Sequence, residues 1–147
     1  MTKKCSEEVD LSQSLVEKEV KSNTNYDVLI VESDEECSNL IQKVCKQLGH
    51  FRSIVTAKDG REARAKLSNQ KFKLIFMDLN TPKINGLELI KVIENGENSL
   101  SRLVVTSHEI AQDQLTALVQ KGVKQIMVKP FGSENLIAKI QAIFPKP

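Results

Sequence analysis

The sequence predicts an α/β fold, a doubly wound parallel sheet of five strands with helices on both faces. Three observations predict it. Apolar runs at 28–31, 74–77, 103–105 and 126–128, with a weaker one across 51–56, lack the polar alternation of half-exposed strands. The stretches between them change to helical spacing. Gly49, Gly96 and Gly122 stand where those helices should stop, in the manner of left-handed C-terminal caps.

Taken in order, residues 1–25 differ from the rest. They are rich in Ser, Glu, Lys and Asn and read as an N-terminal extension, with the main domain at 26–147. Asp10 and Gln13 are placed to cap a short helix bearing Leu11, Leu15, Val16 and Val20, and residues 21–25 read as a linker. The first strand, 28–31, leads to a helix with Cys37, Leu40, Ile41, Val44 and Leu48 on one face. Ile54 and Val55 centre the weaker strand, and residues 59–68, with Ala63 and Leu67 inward, supply the next helix. Strand 74–77 precedes a stripe of Leu87, Ile90 and Ile93; strand 103–105 precedes Ala111, Leu115 and Leu118. Strand 126–128 precedes the last stripe, Leu136, Ile137, Ile140, Ile143 and Phe144.

Composition narrows the function. A chain of 147 residues is the size of one domain and buries a core without staples. A net charge of +2 and only 4% aromatic residues argue against nucleic-acid binding. No apolar run approaches the ~20 residues that span a bilayer, and the polar, acidic N-terminus is unlike a secretory signal. A cytoplasmic protein with no membrane partner is expected. Cys5, Cys37 and Cys45 show no C-x-x-C spacing, and His50 and His108 have no ligand-spaced neighbours, so ordinary thiols and surface histidines are the reading.

The chemistry sits at the strand ends. Val31 is followed by Glu32, Met77 by Asp78, Val105 by Thr106 and Val128 by Lys129. In an open parallel sheet the ligand site lies outside the carboxyl ends of the strands, so two acids, a hydroxyl and an ammonium converge there. Glu32 and Asp78, with Asp34 nearby, repel one another; like charges ~4 Å apart cost on the order of 4 kcal/mol at an effective dielectric near 20. A magnesium ion removes that penalty, since it takes one or two carboxylates, water and a phosphate oxygen. An Asp beside such an ion, with Thr and Lys for phosphoryl oxygens, is equipped to accept a phosphoryl group. A charge directly after four apolar residues, as at Asp78, is costly unless paired or used. The bland reading is that Lys129 merely neutralises the acids and Thr106 ends a strand.

At these residues the sequence resembles the receiver domains of two-component response regulators, from about Tyr26 to Phe144. The most specific stretch is LIFMDLNTPKINGLELI at 74–90; AKDGREA at 57–63, VVTS at 104–107 and VKPF at 128–131 also match. The resemblance implies a flavodoxin-like strand order 2-1-3-4-5. It implies that Asp78 receives phosphate from a histidine kinase or phosphotransfer protein, that Thr106 swings toward the phosphoryl group and that Lys129 pairs with one of its oxygens. It further implies a cis bond between Lys129 and Pro130, Mg2+ held by Glu32, Asp78 and the Asn80 carbonyl, and a partner face on the fourth helix, fifth strand and fifth helix. Lys121, Lys124 and Lys139 lie on that stretch.

The sequence departs from the family pattern where two adjacent acids are usual: it reads Glu32-Ser33, with Asp34 next, so magnesium affinity is expected to fall unless Asp34 or a water substitutes for the missing acid. Ile126 stands where the family has an aromatic switch side chain, and His108 stands where the family tunes loss of the phosphoryl group. These departures leave an alternative, a degenerate receiver that acts as a phosphorylation-independent interaction module. An enzyme is not expected: Asp78 and Asn80 resemble in outline a dehalogenase-type phosphatase motif, but Asn80 cannot serve as its general acid.

Overall fold

The computed structural model describes residues 26–96 and 98–144. The chain runs β1 (Asp27–Val31), α1 (Glu35–Leu48), β2 (Ser53–Ala57), α2 (Gly60–Asn69), β3 (Leu74–Asp78), α3 (Gly86–Asn95), a 3-10 turn (Leu100–Arg102), β4 (Leu103–Ser107), α4 (Gln112–Lys121), β5 (Gln125–Val128) and α5 (Ser133–Ile143). The five strands are parallel, in the order β2-β1-β3-β4-β5. The anticipated extension, its short helix and linker, and Cys5 all lie outside the described residues.

Alternate residues of the central strands feed two cores, which is why their sequences show no polar alternation. Leu29, Val31, Ile75, Met77, Leu103 and Val105 pack with Ala63 and Leu67 of α2, Leu89, Ile90 and Ile93 of α3, and Leu118 of α4. Val28, Ile30, Leu74, Phe76, Val104 and Met127 pack on the other face with Ile41, Val44 and Cys45 of α1, and Leu136 and Ile140 of α5. Outside α4 the helical stripes read from the sequence therefore point inward, although Leu89 and Cys45 were not among them.

Two readings are corrected. Gly49 (φ 72) and Gly122 (φ 105) are left-handed caps, but Gly96 is not; its φ is −113. There α3 ends on a tighter bond from Gly96 N–H to Ile93 O at 3.2 Å, and the chain leaves extended. Ala111 belongs to no inward stripe; it is the exposed N-cap residue of α4, and Leu118 is the buried residue of that helix.

Polar anchors finish the end of the sheet remote from the strand C-termini. The buried Asp27 carboxylate accepts from Arg52 Nη2 at 2.8 Å, Arg52 Nε at 3.1 Å, Ser53 Oγ at 2.9 Å and Gln70 Nε2 at 3.1 Å. Asn98 Oδ1 accepts from Phe72 N–H at 2.7 Å, while its Nδ2 donates to the carbonyls of Leu67 and Gln70 at 3.3 and 3.2 Å. These bonds tie the α2–β3 connection to the α3–β4 connection.

Candidate functional site

The order in which strands are added reverses between β1 and β3, since β2 lies outside β1 and β4 lies beyond β3. In this topology the crevice opens at the carboxyl ends of those two strands. Val31 pairs with Met77, which brings the next residues, Glu32 and Asp78, side by side, and Asp78 pairs in turn with Thr106. Lys129 follows β5, its N–H donating to Ser107 O at 2.8 Å. Four residues from four separated segments thus converge as the strand-end reading anticipated.

Their burial is unusual for charged groups: Glu32 is 4% exposed, Asp78 7%, Lys129 8% and Thr106 1%. Charges so placed need partners. Lys129 Nζ lies 2.7 Å from Glu32 Oε1 and 3.1 Å from Asp78 Oδ2, one ammonium between two carboxylates. Burial alone would lower the lysine's pKa, but the Glu32 and Asp78 carboxylates beside it outweigh this and hold the ammonium above its ordinary value. The remaining carboxylate oxygens take backbone donors: Asp34 N–H donates to Glu32 Oε2 at 3.1 Å and Asn80 N–H to Asp78 Oδ1 at 3.0 Å. Thr81 Oγ1 donates to the Asp78 carbonyl.

Lys129 precedes a cis peptide bond to Pro130, the isomer that the resemblance implied. Asp34 has another use. It is the N-cap of α1, and its Oδ2 accepts from Cys37 N–H at 3.3 Å. Ser33 beside it is exposed. Cys37, one turn into α1, is half-buried; burial first, and then the negative charge of Glu32, pushes its thiol up to about 12, so it stays protonated.

The donor set fits a small hard cation in a spare form. Glu32 Oε1 is buried and, despite the nearby ammonium, has no aligned hydrogen-bond donor. Glu32 and Asp78 supply two carboxylates, and magnesium needs no more than one or two when water and phosphate complete its shell. Among the described residues, however, no three His, Cys, Asp or Glu side chains gather into a metal site. A cation here has to share both carboxylates with Lys129.

Of the remaining expected residues, Ile126 is half-buried against the α2–α3–α4 core and His108 is exposed. Lys121 pairs with Glu94 of α3 at 3.3 Å, while Lys124 is exposed. Val119 and Val128, on α4 and β5, are 58% and 54% exposed. No helix among the described residues is long and apolar enough to cross a membrane. Sequence reasoning missed the loop partners Asp59 and Lys83, which form an ion pair at 3.3 Å beside the site; neither residue type signals such a contact.

The response regulator receiver domain profile matches residues 28–141. The transcriptional regulatory protein CpxR homolog of Haemophilus influenzae is 33% identical over 116 residues, covering 79% of this chain and 49% of that protein. The alkaline phosphatase synthesis transcriptional regulatory protein PhoP of Bacillus subtilis is 29% identical over 119 residues, 81% of this chain and 48% of that protein. The chain thus spans about half the length of these curated relatives. A solved receiver domain of a Pseudomonas aeruginosa sensor histidine kinase, with a magnesium ion coordinated in its active-site cleft, has the same fold. Its TM-score is 0.70 at 22% identity, over 84% of this chain and 100% of that one. With the profile covering most of its length and the strand order in agreement, this chain belongs to the response regulator receiver domain family, the phosphoacceptor switches of two-component signalling.

Proposed function

We propose that Asp78 is the phosphoacceptor of this chain, that the donor is a histidine kinase or phosphotransfer protein, and that the output is a change in protein–protein contact. One observation carries the reading: a buried ammonium shared by Glu32 and Asp78 at the switch point of the sheet, beside Thr106. In the transfer the donor's N–P bond breaks and an O–P bond forms to the Asp78 carboxylate. The imidazole leaves as the neutral base after taking up a proton from solvent. Such a transfer needs positioning and charge stabilisation more than covalent help from the protein. Lys129 holds one phosphoryl oxygen as a point charge and Thr106 donates a hydrogen bond to another. The Asn80 N–H, already on Asp78, orients the carboxylate.

Glu32, Asp78 and the Asn80 carbonyl are the residues to hold Mg2+. When bound, the ion neutralises charge on the phosphoryl oxygens during transfer. The unaligned Glu32 Oε1 supports this assignment. Asp34, committed to capping α1, adds its charge from a distance. Residues 26–147 are the receiver unit and residues 1–25 an extension of it. A cytoplasmic location fits the absence of a membrane-spanning helix among the described residues.

Among the described residues no third acid gathers with Glu32 and Asp78, which favours a second reading, an interaction module that does not accept phosphate. Intact mass after incubation with magnesium and a small-molecule phosphodonor separates the two. A phosphoryl adduct on the native chain, absent from Asp78→Asn and from a chelator control, is the expected result. No adduct from either the small donor or a phosphotransfer protein favours the interaction module.

A further inference from the structure

The loop that follows Asp78 is pinned to the start of α2. Pro82 O accepts from Gly60 N–H at 2.8 Å and from Ile84 N–H at 2.8 Å. The second bond closes a three-residue turn with Lys83 at its centre, at φ 72. Few residues with a side chain adopt that conformation, and this kind of turn is rare and strained. Lys83 Nζ meets Asp59 Oδ2 at 3.3 Å, and Asp59 is itself the N-cap of α2, its Oδ1 accepting from Glu62 N–H at 2.9 Å. The approach is close: a Cβ on Gly60 would lie 2.0 Å from Ile84 O. At the loop's far end, Gly86 N–H donates to Leu79 O at 3.0 Å, and a Cβ there would lie 2.8 Å from Leu79 Cα. Between these fixed points lie Asn80 and Thr81, which bond Asp78 directly.

A glycine at position 83 would take this turn without strain. A lysine there is strained, and strained residues persist where their surroundings over-determine them. Its side chain is 56% exposed, so burial does not hold it; the contact that distinguishes lysine from glycine is the ion pair with Asp59. We propose that Lys83 is a positioning residue. Its pair with Asp59 latches the strained turn onto α2, and the latched turn keeps Asn80 N–H on the Asp78 carboxylate. The proposal deepens, and rests on, the reading of Asp78 as phosphoacceptor. Because the lysine end of the pair is exposed, salt weakens the latch.

Three variants test it. Lys83→Met removes the ammonium and leaves the strain; Lys83→Gly removes both; Asp59→Asn retains a capping oxygen and removes the charge. The Met and Gly variants have equal charge, so the difference between them reads the turn and not attraction of an anionic donor. With magnesium and the small phosphodonor at low ionic strength, Lys83→Met and Asp59→Asn are expected to form adduct several-fold more slowly than Lys83→Gly. Added salt is expected to slow the native chain more than Lys83→Gly. Amide resonances of Asn80 and Thr81 should move in Lys83→Met and Asp59→Asn and hold their native positions in Lys83→Gly. Equal rates and equal amide positions for the Met and Gly variants would overturn the latch. Amide shifts in the expected pattern without an adduct on any chain would uphold the latch and overturn the phosphoacceptor reading instead.

Discussion

Lys129 Nζ lies 2.7 Å from Glu32 Oε1, with the two side chains 5% and 1% exposed, yet that oxygen has no aligned donor. The contact is a buried ion pair held by charge more than by hydrogen-bond direction, and the same ammonium also neutralises Asp78. Removing it leaves two buried carboxylates facing one another. Lys129→Met should therefore lose on the order of 3–5 kcal/mol at neutral pH, the usual cost of stranding a buried charge. Magnesium should restore part of that loss by replacing the cation. Urea unfolding of the variant at neutral pH, with and without magnesium, checks both the loss and the rescue.

The native chain has the complementary alkaline limit. The folded pKa of Lys129 is raised above the ordinary 10.5, because its two acids outweigh the cost of burial. The folded state therefore binds this proton more tightly than the unfolded chain does. Its contribution is complete below 10.5 and is lost as pH rises through the higher folded value. The melting temperature should fall over that alkaline window, and Lys129→Met should lack this part of the fall.

Ser33 sets the strength of any divalent site. Exposed and neutral, it follows Glu32 directly, while Asp34 turns its carboxylate onto Cys37 N–H. Ser33→Asp adds a carboxylate without disturbing that cap. Cation affinity rises with ligand charge, so magnesium should bind about tenfold more tightly, worth ~1.4 kcal/mol. Titration followed by amide shifts around Asp78 measures this. Unchanged affinity would mean that residue 33 does not face the cation.

How far the sequence carried the structure depended on whether a residue's role was written in a pattern. Residues 74–77 were legible as strand because both faces of β3 are covered, leaving four apolar residues in a row. Asp78, Thr106 and Lys129 were legible because each interrupts such a run, and topology alone brings strand ends together. Asp27 and Asn98 were not, since an isolated polar residue at an element's edge looks the same whether solvated or buried in hydrogen bonds. Gly96 misled because a glycine after a helix suggests a left-handed cap whether or not the chain turns that way. Lys83 was invisible, because a lysine, unlike glycine or asparagine, does not advertise a positive φ.

Asp27 predicts the acid limb. Burial pushes its carboxyl upward, but hydrogen bonds from Arg52, Ser53 and Gln70 and the charge of Arg52 outweigh this, leaving it below the ordinary 3.8. Its contribution is present above 3.8 and disappears as pH falls through the lower folded value. Asp27→Ala should lose ~1–3 kcal/mol at neutral pH, the range for buried hydrogen bonds to a charged group. The difference from the native chain should shrink toward pH 2. Chemical unfolding across that range reads both quantities.

The last prediction concerns α4, which buries Leu118 and opens on Ala111, a residue with no side-chain acceptor. The Gln114 N–H, which an N-cap oxygen would hold, donates instead to the neighbouring Asp113 Oδ1 at 2.9 Å, and Gln114 Oε1 reaches back to Ala111 N–H at 3.2 Å. That is half of a capping box. Ala111→Ser supplies the other half at a backbone conformation, φ −74 and ψ 153, suited to an N-cap. Stability should rise by ~1 kcal/mol. Hydrogen exchange should slow across residues 112–121 more than in α1, which already has Asp34 as its cap. A gain in exchange protection spread evenly over both helices would show global stabilisation and not a local cap. No gain would show that Asp113 already serves the Gln114 N–H as well as a capping serine would.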